Sequence, residues 1–344
     1  MISRRRIPAK VLLLASLPPA GLTALWALVV YLLFALAGLD VLRIPFLPLS
    51  TIGIAVSFYV GFKNNASYDR FWEGRKIWGG VVNTSRSWGT AITSYILPHE
   101  SSPEAHKMRE TFIYRHLAWT NALRLQLRRR SRFEDAPSWS TKRRLDSHRA
   151  HMRNDWDTEM APFLSEQELR EHSARGNPAT HILKRQGVEL AKLLKTGQLD
   201  LFHQIALMGL ITELYTLQGK AERIKNTPLP RQYAEYSRVL VRVFVMLAPF
   251  GLLDVFADNI EAANGAIEQL VYLVPFLASA ALIGWTFIFM EAVGDASEDP
   301  FERGMNDVPM NALSRTIERD MRAMLDEPED GLPPKEESID GILY

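Results

Sequence analysis

Residues Ser50–Gly89 read STIGIAVSFYVGFKNNASYDRFWEGRKIWGGVVNTSRSWG. The opening of this stretch belongs to a run, Ile44–Phe62, that holds 19 residues and no charge. A helical crossing of a bilayer needs about 20 such residues, and Pro45 and Pro48 suit its first turn. Within the run Gly53, Ser57 and Gly61 recur at every fourth position, placing small side chains along one helix face, a seam along which helices approach closely. Beside them Ile54, Phe58 and Phe62 repeat with the same spacing as a bulky apolar stripe. Read alone, that stripe fits a lipid-facing or core surface better than a functional one.

Outward from this stretch, the 344 residues carry 40 Lys plus Arg against 39 Asp plus Glu, and no cysteine. Mean hydropathy is close to zero. These averages resemble an ordinary soluble protein, but they conceal segregation. Residues 1–10 have a net charge of +4, and Val11–Leu39 has none over 29 residues. Lys63–Arg238 carries +10, residues 254–268 carry −4, Gln269–Met290 is charge-free, and the tail from Glu291 carries −10. The pattern predicts four membrane spans, near Gly21–Leu39, Ile44–Phe62, Tyr236–Phe256 and Gln269–Met290. Arg238 and Arg242 lie on the third, where arginines near a span's end reach the headgroups. A cleaved signal peptide competes for the amino end, yet the apolar run continues past Pro18 and Pro19 to Leu39, which fits an uncleaved anchor.

The basic flanks, Arg4–Arg6 and Lys63, predict an inner-membrane protein with both termini cytoplasmic and the acidic 254–268 connection outside. The resulting plan is all-α. Residues 1–62 hold the amino-terminal segment and two spans, 63–235 a cytosolic helical bundle, and 236–290 the other two spans. Residues 291–322 form a cytosolic helical return, and 323–344 an acidic, mobile tail. Helical periodicity supports the bundle in Ile113, Leu117, Ala118, Ala122 and Leu125, and again in Leu207, Leu210, Ile211 and Leu214.

Candidate chemistry in the polar segment is sparse. Arg128–Arg130 with Arg124 and Arg132 could grip phosphates, but in a membrane protein a solvated or lipid-facing helix flank is the preferred reading and no nucleic-acid partner is expected. His148 and His151 have helical ligand spacing but lack a third firm ligand, so no metal is expected. There is no glycine-rich phosphate loop, HExxH or nucleophile elbow. Neither an enzyme nor a cofactor is indicated.

The run Gly61-Phe62-Lys63-Asn64-Asn65-Ala66-Ser67-Tyr68-Asp69-Arg70-Phe71, with Trp72-Glu73-Gly74-Arg75 and Trp78-Gly79 behind it, resembles the signature of the prokaryotic branch of the bestrophin family. Thr227-Pro228-Leu229-Pro230, Glu298-Asp299-Pro300-Phe301 and Asn306-Asp307-Val308-Pro309-Met310-Asn311 are similar in the same order. The resemblance implies a homopentameric ion channel whose protomers surround one axial pore, with membrane lipids and permeant monovalent ions, chloride first, as its other partners. It implies that Ile54, Phe58 and Phe62 line a narrow apolar neck. Aligning Gly197-x-Leu199 and Glu213-Leu214 with the family's cytosolic aperture places Phe202 there, with Leu201 and Ile205 as neighbours that serve in a shifted register. Rings of Ile and Phe gate by dewetting and carry no charge to select ions, although aromatic edges favour anions.

The chain departs from the animal members after Pro300-Phe301. Where they carry consecutive acids as a calcium clasp, it reads Glu302-Arg303-Gly304-Met305-Asn306-Asp307, so calcium gating is not expected. Two alternatives to an anion channel stand. The acids Asp254, Asp258, Glu261 and Glu268 would concentrate cations at the outer mouth and make a cation-selective channel. A non-conducting membrane receptor or scaffold would use the bundle alone. A coupled transporter is disfavoured by the lack of an inverted repeat.

Overall fold

A computed structural model describes residues 1–3, 9–97, 102–129, 146, 148, 152–302, 304 and 306–344. Among the described residues the regular structure is helical, apart from isolated bridges such as Ile2 with Ile342. In chain order the helices are α1 Ala9–Ala37, α2 Phe46–Tyr95, α3 Pro103–Leu127, α4 Trp156–Met160, α5 Glu166–Ser173, α6 Pro178–Lys195, α7 Leu201–Asn226, α8 Arg231–Glu261, α9 Ala266–Glu298 and α10 Met310–Ala323. Four of them, α1, α2, α8 and α9, are long and apolar enough to cross a membrane.

The chain divides into two units. An apolar unit comprises residues 4–69 and 229–298, and a polar unit comprises residues 1–3, 70–228 and 299–344. The divisions fall at 69/70, 228/229 and 298/299, against the 62/63, 235/236 and 290/291 expected from charge.

In the apolar unit α1, α8 and α9 pack around Ala27, Val30, Phe34, Leu253, Ala257, Phe276 and Ala280. A second cluster joins α2 to α8 through Leu49, Val56, Val60, Val241, Phe244 and Val245. The missing N–H groups of Pro249 and Pro275 fall inside α8 and α9. The first N–H of α2 lacks an intrahelical partner and is satisfied by another helix, Phe46 N donating to Asp254 Oδ2 at 3.1 Å.

The second helix runs on well past Phe62, unbroken over 50 residues. No proline follows Pro48 in it, and Gly53, Gly74, Gly80 and Gly89 are occupied by neighbouring side chains. Gly74 seats Pro300 and Phe301, where a Cβ would lie 3.2 and 3.3 Å from their rings. Beyond Gly74 the buried Ile77, Trp78, Val81, Trp88 and Ile92 make it a core helix of the polar unit.

Five helices of the polar unit begin on side-chain caps. Ser102, Asp155, Ser165, Asn177 and Asp200 accept from backbone N–H groups of α3 to α7 in turn, satisfying donors that the helices leave open. The expected free acidic tail needs correction. Glu327 pairs with Arg322 at 2.7 Å and accepts from Tyr114 at 2.9 Å, while Glu336 pairs with Arg153 at 3.3 Å. Tyr344 is buried, and its hydroxyl meets His148 Nδ1 at 2.6 Å. The arginines of α10 and its surroundings supply the countercharges that a free tail would take from water.

Candidate functional site

At about 100° per residue, the stripe Ile54, Phe58, Phe62 runs along one side of α2. The side chains facing the protein, Gly53, Val56, Val60, Lys63 and Ser67, lie on the opposite side and are buried. Ile54 is 59% exposed, Phe58 66% and Phe62 69%. Three large apolar groups on a helix of the apolar unit therefore have no covering in their own chain.

The small-residue seam needs revision. A Cβ at Gly53 would lie 2.7 Å from the Phe244 ring, so this glycine does seat α8 against α2. Ser57 is half-buried and its hydroxyl donates to Gly53 O at 2.8 Å. A Cβ at Gly61 would have no neighbouring atom within 4 Å. The reason is geometric. Steps of four residues advance by about 40° per step, so the seam turns away from α8 towards the apolar stripe. The face packed within the chain alternates steps of three and four.

Polar anchors hold this part of α2 from behind. The Lys63 ammonium is fully buried, 2.9 Å from Glu291 and also paired with Asp295, while Arg238 reaches Asp295 at 3.4 Å. Asn64 donates to Met290 O at 2.9 Å. In the polar unit Arg70 donates to Thr227 O at 2.8 Å and Ile224 O at 3.1 Å, closing the end of α7, and pairs with Asp299 at 3.4 Å. Three of the separate motifs read from the sequence are thus brought together by Arg70. The sequence gives no sign of these pairings, since partners 57 to 232 residues apart leave no local signal.

Phe202 stands in the first turn of α7, 78% exposed, its N–H donating to Asp200 at 2.8 Å. Leu201 and Ile205 beside it are exposed as well. Two arginines of the basic run, Arg124 and Arg128, depart from the solvated or lipid-facing flank expected, while Arg129 is exposed as such a flank would be. Arg124 is fully buried, held by Glu159 at 2.6 Å, Asn311 at 2.8 Å and Asn121 at 3.0 Å. Burial, with Arg128 and Arg153 nearby, lowers its pKa to about 9 against the pull of Glu159, so it stays charged at neutral pH. Arg128 is buried too and donates to Met152 O at 3.1 Å. Arg4–Arg6, Arg130, Arg132, His151, Arg303 and Met305 lie outside the described residues. His148 is engaged by Tyr344 and by Asp340 at 3.2 Å. Among the described residues no three potential ligands gather to hold a metal.

Residues 8–323 match the bacterial/fungal bestrophin protein family. The chain belongs to that family. Similar relatives include the voltage-dependent anion channel-forming protein YneE of Escherichia coli O157:H7, 29% identical over 282 residues, covering 82% of this chain and 77% of the relative. The voltage-dependent anion channel-forming protein RSc3414 of Ralstonia nicotianae is 31% identical over 281 residues, covering 82% and 78%. Among solved structures, a bacterial bestrophin homolog from Klebsiella pneumoniae aligns with a TM-score of 0.71 and 25% identity, over 90% of this chain and 98% of that one. Bestrophins are ion channels, not enzymes, and this bestrophin places its four candidate membrane helices in the order α1, α2, α8, α9.

Proposed function

We propose that this bestrophin assembles as a homopentamer around one axial pore and conducts small monovalent anions, chloride among them, through a neck lined by Ile54, Phe58 and Phe62. The observation that carries the reading is the bare apolar stripe itself, directly opposite the face by which α2 packs on its own chain. Five copies turned inward would convert it into stacked apolar rings that gate by dewetting. Gly61, open beside the stripe, would let neighbouring helices approach closely. Phe202 of each copy would form a second constriction at the cytosolic aperture. The relatives named as anion channel-forming proteins support the choice of anion.

In this reading the polar unit lies in the cytosol with both termini, and the membrane is the inner membrane. The acids that motivate cation selectivity are partly engaged: Asp258 pairs with Arg43 at 2.7 Å, and Asp254 holds the start of α2. Reversal potentials in asymmetric NaCl across planar bilayers test the ion, a shift towards the sodium equilibrium potential overturning the anion assignment. Conductance tests the neck. Ile54→Ala, Phe58→Ala and Phe62→Ala together raise it severalfold, whereas Phe202→Ala alone reorders the permeant anions. Unchanged currents in the triple variant would sink the neck.

A further inference from the structure

The exposed face of α2 does not end at Phe62. Continuing by steps of three and four, the same side of the helix in the apolar unit carries Asn65 and then Asp69, both exposed. Asp69 projects within about 20° of Phe58 and lies about 10 Å beyond Phe62 along the axis. It is also unlike the other acids near that end of the unit. Glu291 and Asp295 are bound to Lys63, and Glu235 to Arg238 at 3.1 Å. Asp69 has no ion pair or hydrogen bond among the described residues, and its neighbour Arg70 is turned to the carbonyls of Ile224 and Thr227.

We infer that Asp69 is the charge-selecting residue of the conduction pathway. In an assembly built on the stripe, one free carboxylate per copy rings the path just past the uncharged neck. It enriches cations and depletes anions there, thereby holding down the channel's preference for anions. The neck side chains cannot do this, having no charge. The inference rests on the stripe lining the pathway. At physiological salt the screening length is about 8 Å, so a carboxylate on the wall still acts on an ion at the axis of a narrow passage.

The test uses the full chain in planar bilayers under a tenfold KCl gradient. Asp69→Asn moves the reversal potential towards the chloride equilibrium potential, the anion-to-cation permeability ratio rising about threefold or more, while Asp69→Glu behaves as wild type. The difference shrinks in about 1 M salt, where the screening length is about 3 Å. Because the chain has no cysteine, Asp69→Cys supplies a single thiol and a second arm. A negatively charged methanethiosulfonate restores the wild-type potential, and a positively charged one drives it further towards chloride. Reagents that both react yet leave the potential unchanged overturn the assignment of Asp69. If Ile54→Ala, Phe58→Ala and Phe62→Ala together leave the current unchanged, the stripe does not line the path and both readings fall. If that triple variant raises the current while Asp69→Asn changes nothing, Asp69 alone is wrong.

Discussion

The two units bury polar groups in different ways. In the apolar unit the buried polar side chains among the described residues are Thr23, Lys63, Ser67, Ser237 and Glu298, and the one basic group among them is locked to carboxylates. Its helices meet by shape, with Gly53 under Phe244 and Gly251 under Leu49. The polar unit buries Arg115, His116, Asn121, Arg124, Arg128, Glu159 and Gln186 in its core and starts α3 to α7 on side-chain caps. In hydrocarbon an unsatisfied polar group has no water to fall back on, so helices surrounded by lipid rely on steric fit. Near water, Arg and Glu side chains can be drawn into a core where partners meet most of their polar atoms. Specificity therefore resides in hydrogen bonds in one unit and in packing in the other.

The strongest way to break this contrast is Arg124→Met. The variant leaves the buried Glu159 with Arg153 alone, and deprives Asn121, Asn311 and the Arg153 carbonyl of their donor. Removing one partner of a buried charged network costs about 3–5 kcal/mol. Melting of the detergent-solubilised protein should show it as a large loss. A variant as stable as wild type would mean that the polar core is held by packing after all.

Next in size is an acid-dependent loss from the same core. His116 is fully buried, and desolvation lowers its pKa to about 3. Its Nε2 lies 2.8 Å from Ser85 Oγ, and its ring sits against Trp88 and Trp119. Between about pH 6.5 and about pH 3 the unfolded chain binds a proton that the folded chain refuses. Stability contributed by neutral His116 is thus present above 6.5 and lost as the pH falls, by up to about 1.4 kcal/mol per pH unit. His116→Gln removes this slope. Melting curves of the two proteins that stay parallel from neutral pH down to about pH 4.5 would refute the assignment.

What is legible in the sequence follows the same division. Charge-free runs and fourfold spacing expose the four membrane helices and the bare stripe, because in lipid one chemical variable dominates. The long motif around Lys63–Phe71 points to the family. Three features resist a linear reading. The arginine run has the pattern of a flank, since a single chain does not reveal that Glu159 and Asn311 converge on Arg124. The acidic tail has the composition of a mobile end, since its partners Arg153 and Arg322 are distant or weakly patterned. The seam looks straight on paper, although four-residue steps precess around a helix.

That precession yields the smallest and most discriminating comparison, Gly53→Ala against Gly61→Ala. A methyl at Gly53 would meet the Phe244 ring at 2.7 and 2.8 Å, closer than carbon atoms approach, so α2 and α8 must separate or the ring must rotate. Overpacking of this kind costs about 1–3 kcal/mol, and the melting temperature should fall. The same methyl at Gly61 meets nothing within its own chain, while alanine is the better helix former by about 1 kcal/mol. The folded protomer should then be unharmed. If copies pack through Gly61, however, the methyl enters their contact and the assembled mass measured in detergent falls while the protomer remains folded. Loss of protomer stability at Gly61, or none at Gly53, would reverse the assignment of which end of the seam belongs to the chain and which to its neighbour.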